Sequence, residues 1–304
     1  MSIDYHDIIH PDDEMAITQL KKTPGINFIA EKIVNMGYEK WYRNMHMADH
    51  VKLGPNQLPE IYDLLPPIAE KFGIDIPELY LMQSPILNSE TIGDKNPLII
   101  INSGLVAALS KDELACVLAH ECGHILCRHC LYKTIMSVLQ QLVSATGKFV
   151  GLGLAQPVML AAFYASCYWS RRSEYSADRA SLVYTEDLNL THSALLRLSA
   201  GPLDISKNIN LKSFAEQTQL QDAQESNSTW DKIIYTLLIS DRTHPFTTSR
   251  LAELDSWNNS EQYQTVMTKL KEPSESPASN KCPNCGSAID DTCNFCKSCG
   301  HKIR

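Results

Sequence analysis

Two histidines and a glutamate stand together near the middle of the chain, in the order His120-Glu121-Cys122-Gly123-His124. Residues four positions apart share one face of a helix, so both imidazoles can reach a single metal ion about 2.0–2.1 Å away. Glu121 then lies beside the metal without binding it and can take a proton from a water molecule. Most neighbouring residues are apolar, and burying an unpaired histidine or glutamate among them would be costly. The pattern predicts a metal site, and the alternative is an ordinary helix with two histidines.

A catalytic zinc ion needs three protein ligands and one open position. In one known arrangement a third histidine follows the second by six residues, but here that position holds Cys130, and Cys127 replaces the glycine between them. His129 is one residue off this register, and we expect it to point away from the face that carries His120 and His124. The sequence therefore excludes that arrangement and requires a ligand from a later helix.

The segment Ser170–Arg179, which reads SRRSEYSADR, can supply that ligand. Glu174 and Asp178 are four residues apart and face the same way on a helix. Glu174 can bind the metal while Asp178 accepts a hydrogen bond from a ligand imidazole, a frequent arrangement around protein-bound metals. Taken alone, the segment is also consistent with a solvated helix face on which neighbouring arginines pair with both carboxylates.

A second histidine pair, His46 and His50, has the same spacing as the first. No third ligand is evident near it in the sequence. We therefore expect both side chains to lie on an exposed helix face rather than at a metal.

Four cysteines at the end of the chain form two similar turns, Cys282-Pro-Asn-Cys285-Gly and Cys296-Lys-Ser-Cys299-Gly. Each turn directs two thiolates at one ion, and four thiolates close a tetrahedral zinc site that is structural rather than catalytic. Cys293 also forms a CxxC pair with Cys296, but only the copy ending in Cys299 repeats the Cys-Gly sequence. A unit of residues 282–304 is too small to bury a useful core, so we expect zinc to stabilise it.

The elements that must position these groups follow from the pattern of apolar residues and breakers. Ser110 and Glu113 form a capping box, which predicts that the helix with the HExxH sequence begins near Lys111. Two apolar runs, each after a proline and separated by a turn-rich stretch, predict strands Leu79–Gln83 and Leu98–Ile101. Periodicity predicts one or two amphipathic helices in residues 1–50, and the helices Leu58–Lys71, Pro157–Tyr184 and Thr248–Trp257.

Composition limits the class of protein. The 304 residues include 27 basic and 35 acidic side chains, and the net charge of −8 argues against a nucleic-acid partner. The ten cysteines are clustered rather than spread as disulfide partners, and the N-terminal residues lack the basic and apolar regions of a cleaved signal peptide. We therefore expect a cytoplasmic protein in a reducing compartment, with six thiols outside the four-cysteine site that have no assigned chemistry.

The uncharged segment 149–169 has 21 residues, which is long enough to cross a bilayer. A single crossing would put Glu174 on the opposite side of the membrane from His120 and His124, so it conflicts with a shared metal ion. We expect a buried helix pair or a surface that contacts a membrane peripherally.

The motifs, in their order along the chain, resemble one protein family. The HExxH sequence follows NPLIIINSGLVAALSKDELACVLA, and it precedes RRSEYSADRAS and then Thr243-His-Pro-Phe-Thr-Thr-Ser-Arg250-Leu. This combination resembles the HtpX-like and CAAX-prenyl-protease family of gluzincin zinc metallopeptidases, from near Val51 to Leu254. The cysteine-rich tail is similar to the zinc ribbons appended to many prokaryotic proteins.

The resemblance implies a fold that is mainly α with a small β-sheet, a zincin-like α+β metallopeptidase domain, followed by the zinc-ribbon tail. It implies that the ligands of the catalytic zinc are His120, His124 and Glu174. It further implies Glu121 as the general base, Asp178 as a carboxylate behind a ligand, His244 near the site to stabilise an oxyanion or gate the metal, and Arg250 in an ion pair. The family's Asn-Ala pair on the strand facing the substrate is Asn88-Ser89 in this chain.

The expected organisation is an N-terminal helical arm (1–50), a metallopeptidase domain (51–270), a linker rich in Pro and Ser (271–281) and a zinc ribbon (282–304). The expected function is zinc-dependent endopeptidase activity on polypeptides in intracellular quality control, with one catalytic and one structural zinc. A peptide is expected to lie extended against the strand Leu98–Ile101. The alternative is a non-proteolytic zinc scaffold or chaperone whose ribbon docks a protein partner, although an intact Glu121 counts against it.

Overall fold

The structure is a computed structural model of the chain. It describes residues 3–146, 156–206, 208–210, 213–214, 216, 239–240, 242–271, 284–285, 287, 299 and 301–302. The chain divides into two compact units, Ser2–Met267 and Thr268–Arg304. The expected linker lies outside the described residues from residue 272 onward, as do Cys282, Cys293 and Cys296 of the tail.

The described residues are mostly helical, with one small sheet. Their helices are α1 (Tyr5–Ile8), α2 (Pro11–Lys22), α3 (Ile26–Asn35), α4 (Tyr38–Asp49), α5 (Pro59–Tyr62), α6 (Leu65–Phe72), α7 (Ser103–Ala108), α8 (Lys111–Leu126), α9 (Cys130–Thr146), α10 (Gln156–Thr185), α11 (Leu188–Ala200), α12 (Leu203–Ser206), α13 (Thr247–Asn258) and α14 (Glu261–Lys271). The strands are β1 (Val51–Lys52), β2 (Glu78–Met82), β3 (Ser89–Ile92) and β4 (Leu98–Asn102). The prediction of a mainly α chain with a small sheet is confirmed.

The sheet has the strand order β1-β2-β4-β3, in which β2 and β4 are parallel and the other pairs are antiparallel. Both predicted strands are confirmed to within a residue, but β3 lies in the stretch that was predicted to form turns. Because β4 is buried and paired on both sides, no substrate can add to it, and the expected docking against Leu98–Ile101 is wrong. In the described part of the sheet, β3 forms the edge next to α8.

Helix α8 begins at Lys111, as predicted, and its capping box is present. The hydroxyl of Ser110 accepts a hydrogen bond from the Glu113 backbone, and the Glu113 carboxylate accepts one from the Ser110 backbone. Helix α10 approaches α8 very closely at Gly123, where an added Cβ would lie 2.6 Å from the Cβ of Ala180. The glycine of the HExxH sequence therefore allows α10 to bring its polar residues against those of α8.

The N-terminal helices belong to the core of the first unit. In the N-terminal helical arm expected over residues 1–50, α2 packs against α10 and α3 packs against α9. The apolar positions of α2 and α3 are buried together with α9 and α10 in one cluster, which includes Leu20, Ile29, Leu139 and Trp169. Burial of these side chains away from water is what joins the helices to the rest of the unit.

His46 lies in a buried position on α4, with 2% of its surface exposed, so its expected place on an exposed helix face is wrong. Its ring packs against that of Tyr42 at 4.2 Å, and neither of its ring nitrogens has a hydrogen-bond partner. Burial, together with the nearby His50, lowers the pKa of His46 to about 4. This imidazole is therefore neutral in the folded protein at neutral pH.

We expect His46 to make the folded state less stable in acid. Because its pKa is lower in the folded chain than in the unfolded chain, its contribution is constant above about pH 6.5 and is lost as the pH falls toward 4. The loss amounts to about 3 kcal/mol at full protonation. Denaturant unfolding of wild type and His46→Phe between pH 7 and pH 4 should show a smaller loss in the variant. The exposed His6, changed to Phe, serves as the control, and parallel curves for wild type and His46→Phe would contradict the assignment.

No helix in the described ranges is both long enough and apolar enough to cross a bilayer. Of the uncharged segment, residues 149–155 lie outside the described residues, and the remainder forms the first half of α10. Met159 and Phe163 on this half are buried, whereas Leu160, Tyr164 and Tyr168 are each about two-fifths exposed on its other face.

Candidate active site

Three side chains that were predicted to bind a metal converge between α8 and α10. His120, His124 and Glu174 each offer one ligand atom, and these atoms all lie within 4.8 Å of one another. The Nε2 atom of His120 is 3.2 Å from Oε2 of Glu174, and the Nε2 atom of His124 is 3.3 Å from Oε1. His124 and Glu174 are fully buried, whereas His120 is partly open to the cavity described below.

The arrangement fits a divalent cation. Oε2 of Glu174 is buried and accepts no hydrogen bond of good geometry, which is costly for a carboxylate unless a cation approaches it. The ammonium group of Lys133 lies 3.0 Å from Nε2 of His124 and 2.8 Å from Oε1 of Glu174, so this point is already complementary to positive charge. Two imidazoles and one carboxylate form the ligand set of many catalytic zinc sites.

The ionisation of these groups follows from burial and their charged neighbours. Burial and the charge of Lys133 lower the pKa of His124 well below its ordinary value, so His124 is neutral as a metal ligand must be. Burial raises the pKa of Glu174, but Lys133, His244 and His120 outweigh it and hold the pKa well below the ordinary value. Burial also lowers the pKa of His120, yet the nearby carboxylates of Asp178 and Glu174 raise it to about 9, so metal binding there must displace a proton.

Asp178 and Arg250 lie directly behind His120. Oδ1 of Asp178 is 3.0 Å from Nδ1 of His120 and accepts its hydrogen bond, which leaves Nε2 facing Glu174. Arg250, on α13, donates to both Asp178 oxygens at 2.7 Å and 2.6 Å. Burial raises the pKa of Asp178, but the charge and hydrogen bonds of Arg250 bring it below the ordinary value. The structure thus places Arg250 in an ion pair that fixes the carboxylate behind a candidate ligand.

Strand β3 holds the carboxylate of Glu121. The hydroxyl of Ser89 donates to Oε1 at 2.6 Å, and the hydroxyl of Thr91 donates to Oε2 at 2.5 Å. The family resemblance places Asn88-Ser89 on the strand that faces the substrate, but Thr91 was not recognised as part of the site. The alternation of two short hydroxyl side chains, Ser89 and Thr91, on either side of Glu90 is the signal that could have indicated a strand facing the site.

His244 lies at the rim of a cavity of about 400 Å³ whose walls include His120, Glu121 and Glu174. Its Nε2 atom is 3.6 Å from Oε2 of Glu174, about half of its side chain is exposed, and its Nδ1 atom is 2.9 Å from the hydroxyl of Thr243. The structure therefore brings His244 beside the three candidate ligands, with one face toward solvent.

His129, which was expected to point away from the face that carries His120 and His124, contacts His124 at Nδ1, the ring nitrogen that does not face Glu174. Its Nδ1 atom lies 3.0 Å from Nδ1 of His124. The helical periodicity of α8 does not extend to this residue, because α8 ends at Leu126 and Arg128 has a left-handed backbone with φ of 59°. Lys133 was missed for the same reason, since both residues depend on the turn that leads into α9.

The cysteines near α8 are buried inside the fold. Burial raises the pKa of Cys116 and of Cys130 to about 12 and raises those of Cys122 and Cys127 as well. These four thiols are therefore protonated at neutral pH and poor nucleophiles.

The fold and the site together define the class of protein, which is a zinc metallopeptidase. A profile of peptidase family M48 matches residues 55–258, and the chain belongs to this family. The resemblance to HtpX-like and prenyl-protease relatives is thereby confirmed.

Two similar proteins illustrate the relationship. The chain is 29% identical over 277 residues to the plastoglobule-localized metallopeptidase 48, chloroplastic, of Arabidopsis thaliana, and the match covers 90% of this chain and 78% of the relative. The crystal structure of S. mikatae Ste24p is similar at 20% identity and a TM-score of 0.35, over 68% of this chain and 51% of that protein. The chain thus matches about half the length of that solved protein.

Proposed function

We propose that the chain is an endopeptidase in which His120, His124 and Glu174 bind zinc and Glu121 is the general base. The observation that carries this proposal is the convergence of three ligand atoms within 4.8 Å at a cavity that also exposes the Glu121 carboxylate. A non-proteolytic scaffold has no need of a general base held in place by two hydroxyl groups, and no observation favours that alternative.

The residues of the site have distinct tasks in peptide hydrolysis. A zinc ion supplies a Lewis acid that lowers the pKa of a water molecule and polarises the peptide carbonyl. Glu121, fixed by Ser89 and Thr91, would accept a proton at its carboxylate from the water molecule that attacks the carbonyl carbon. Glu121 then delivers the proton to the leaving amine. Asp178 keeps His120 in the tautomer with a free Nε2, and Arg250 keeps Asp178 charged and oriented.

The substrate is proposed to lie along β3 rather than β4. The edge of β3 adjoins the cavity, and Asn88 and Ser89 line it. An extended peptide can add to such an edge through main-chain hydrogen bonds that do not depend on sequence. His244, which also lines the cavity, is positioned to donate a hydrogen bond to the oxyanion that forms on the carbonyl.

Removal of zinc tests the proposal. Dialysis against a chelator is expected to abolish hydrolysis of an unstructured peptide, because the Lewis acid is lost, and one equivalent of zinc at the histidine site should restore it. Metal analysis alongside the assay, with His120→Ala as the matched variant, should show that the variant lacks this zinc and the activity. Full hydrolysis by metal-free protein would refute the proposal.

The cysteine tail is proposed to hold a second, structural zinc through Cys282, Cys285, Cys296 and Cys299. Within the second unit, the amide of Asn284, the residue before Cys285, contacts Sγ of Cys299 at 3.6 Å, which supports a shared site for Cys285 and Cys299. The organisation proposed for this end of the chain is a linker (271–281) and a zinc ribbon (282–304), with the ribbon available to a protein partner.

Substitution of Cys299 by serine is expected to remove one of two zinc ions per chain and to spare hydrolysis of a short peptide, because the catalytic site uses no cysteine. Metal analysis and a peptide assay on the full-length variant measure both effects. The buried Cys167, changed to serine, is the control and should retain both ions. Loss of all hydrolysis in Cys299→Ser would contradict a purely structural second site.

The cellular setting is proposed from the cysteine content, one exposed surface and one similar protein. The clustered thiols favour a reducing, cytoplasmic location. The exposed Leu160, Tyr164 and Tyr168 form a stripe within residues 149–169 that suits peripheral contact with a lipid surface, and the Arabidopsis relative is named for plastoglobules. A role in intracellular protein quality control rests on family analogy alone.

A further inference from the structure

A chain of buried polar groups runs from His124 away from the cavity. Nδ1 of His124 is 3.0 Å from Nδ1 of His129, and Nε2 of His129 is 3.0 Å from Oδ2 of Asp13 on α2. The two oxygens of Asp13 also accept hydrogen bonds from the indole of Trp169 at 3.1 Å and from the hydroxyl of Ser176 at 2.6 Å. All five side chains are buried, and Asp13 is fully so.

The protons along this chain have one consistent arrangement. The carboxylate of Asp13 only accepts, so Nε2 of His129 carries a proton, and in the neutral ring Nδ1 of His129 is then an acceptor. It follows that Nδ1 of His124 donates to His129 and that Nε2 of His124 is left with a free lone pair. The contact of Lys133, which can only donate, with Nε2 of His124 at 3.0 Å requires the same tautomer.

We propose that Asp13 is a positioning residue of the metal centre, acting through His129 to hold His124 in the tautomer and orientation that bind zinc. The inference rests on the proposed role of His124 as a ligand. The two ligand histidines are then held in different ways. His120 is hydrogen-bonded directly to the carboxylate of Asp178, whereas His124 is connected to the carboxylate of Asp13 only through the imidazole of His129.

The proposal extends the site beyond the region that matches the peptidase family, because residues 55–258 do not include Asp13. Trp169 and Ser176 lie on α10, the helix that also carries Glu174. Helix α10 therefore fixes both the third candidate ligand and the carboxylate at the far end of the chain of hydrogen bonds. The packing of α2 against α10 is, on this view, part of what completes the metal centre.

The substitution Asp13→Asn tests the proposal because it keeps the shape of the side chain and replaces the oxygen that accepts from His129 and Ser176 by an NH₂ donor. The indole of Trp169 can only donate, so it selects the oxygen of Asn and turns the amide NH₂ toward Nε2 of His129. His129 must then donate from Nδ1, and His124 must place its proton on Nε2, where zinc should bind. We expect zinc to bind about 10- to 100-fold more weakly.

The measurement is the zinc dissociation constant of the full-length protein, obtained by competition with chelators of graded affinity. His120→Ala identifies which of the bound ions belongs to this site. The matched control is Asp12→Asn, which makes the same chemical change one residue earlier on α2, where the side chain lies on the surface near Arg172. We expect wild type and Asp12→Asn to retain zinc equally, with thermal unfolding in excess zinc reporting any loss of fold.

Two substitutions of His129 keep the test decisive if Asp13→Asn does not fold. In His129→Asn the side-chain oxygen lies close to the position of Nδ1 and can still accept from His124, whereas His129→Leu has no acceptor. We expect zinc affinity within a few-fold of wild type in the first and a loss like that of Asp13→Asn in the second. Adding Asp13→Asn to His129→Leu should cause no further loss, because the chain is already broken.

Equal zinc affinity in wild type and Asp13→Asn would overturn the proposal, as would equal losses in His129→Asn and His129→Leu. Losses from Asp13→Asn and His129→Leu that multiply in the double variant would show two independent structural effects and would also refute it. If wild type binds no zinc at the histidine site, the proposed function itself fails. If wild type binds zinc and Asp13→Asn binds it equally well, only the positioning role of Asp13 fails.

Discussion

Replacing Glu121 by glutamine is expected to lower kcat/KM for peptide hydrolysis by about 10²- to 10⁴-fold while the zinc content stays unchanged. Glutamine has the size of glutamate but cannot accept a proton from water at neutral pH. Its amide can still be held by Ser89 and Thr91, because both hydroxyl groups can rotate to donate or accept. The site should keep its shape and lose only the proton transfer.

The comparison needs a second glutamate whose loss should have no effect. Glu60 on α5 is exposed and does not line the cavity, so Glu60→Gln should hydrolyse the peptide at the wild-type rate. Initial rates at several substrate concentrations, with zinc measured in the same samples, separate kcat from KM. Hydrolysis by Glu121→Gln at the wild-type rate would contradict the assignment of Glu121 as the general base. Loss of zinc from this variant would mean that Glu121 has a structural role instead.

The part of the site that could be predicted from the sequence is the part held by helical spacing. His120 and His124 are one turn apart on α8, as are Glu174 and Asp178 on α10, so the spacing alone places each pair on a common face. The capping box also located the start of α8. What joins the two helices is the close approach at Gly123, which depends on the small Ala180 opposite and is not visible in either segment alone.

The features that could not be predicted are those that depend on contacts between residues far apart in the sequence. The residues of β3, Ser-Glu-Thr-Ile, are few and polar, so the alternation of Ser89 and Thr91 is only a weak signal, and the segment becomes a strand by pairing with β4. Asp13 reaches the metal centre from a point more than 100 residues earlier in the sequence, through His129. No periodicity in a single sequence connects these two residues, since their contact exists only after α2 packs on α10.

Changing Arg250 to methionine is expected to destabilise the folded protein by about 3–5 kcal/mol. Arg250 donates two hydrogen bonds to Asp178, and both side chains are buried, so the variant leaves a carboxylate without its counter-charge in a low-dielectric environment. The remaining partner, His120, supplies one hydrogen bond. Urea unfolding of the zinc-loaded proteins at pH 7 measures the difference in the free energy of unfolding.

The cause of the lost stability can be isolated, because we attribute it to the unpaired buried charge of Asp178 and not to the absence of the arginine side chain itself. In the double variant Arg250→Met/Asp178→Asn the carboxylate is neutralised, and much of the stability should return. Arg172→Met is the matched control, since the ion pair of Arg172 with Asp12 is partly open to solvent, and its loss should stay within about 1 kcal/mol. If the double variant is as unstable as Arg250→Met, the arginine stabilises α13 by packing alone and its ion pair with Asp178 contributes little. If the double variant regains stability but still binds zinc more weakly than wild type, the charge of Asp178 serves the metal site rather than the stability of the fold. A neutral Asn holds His120 less strongly than a carboxylate does.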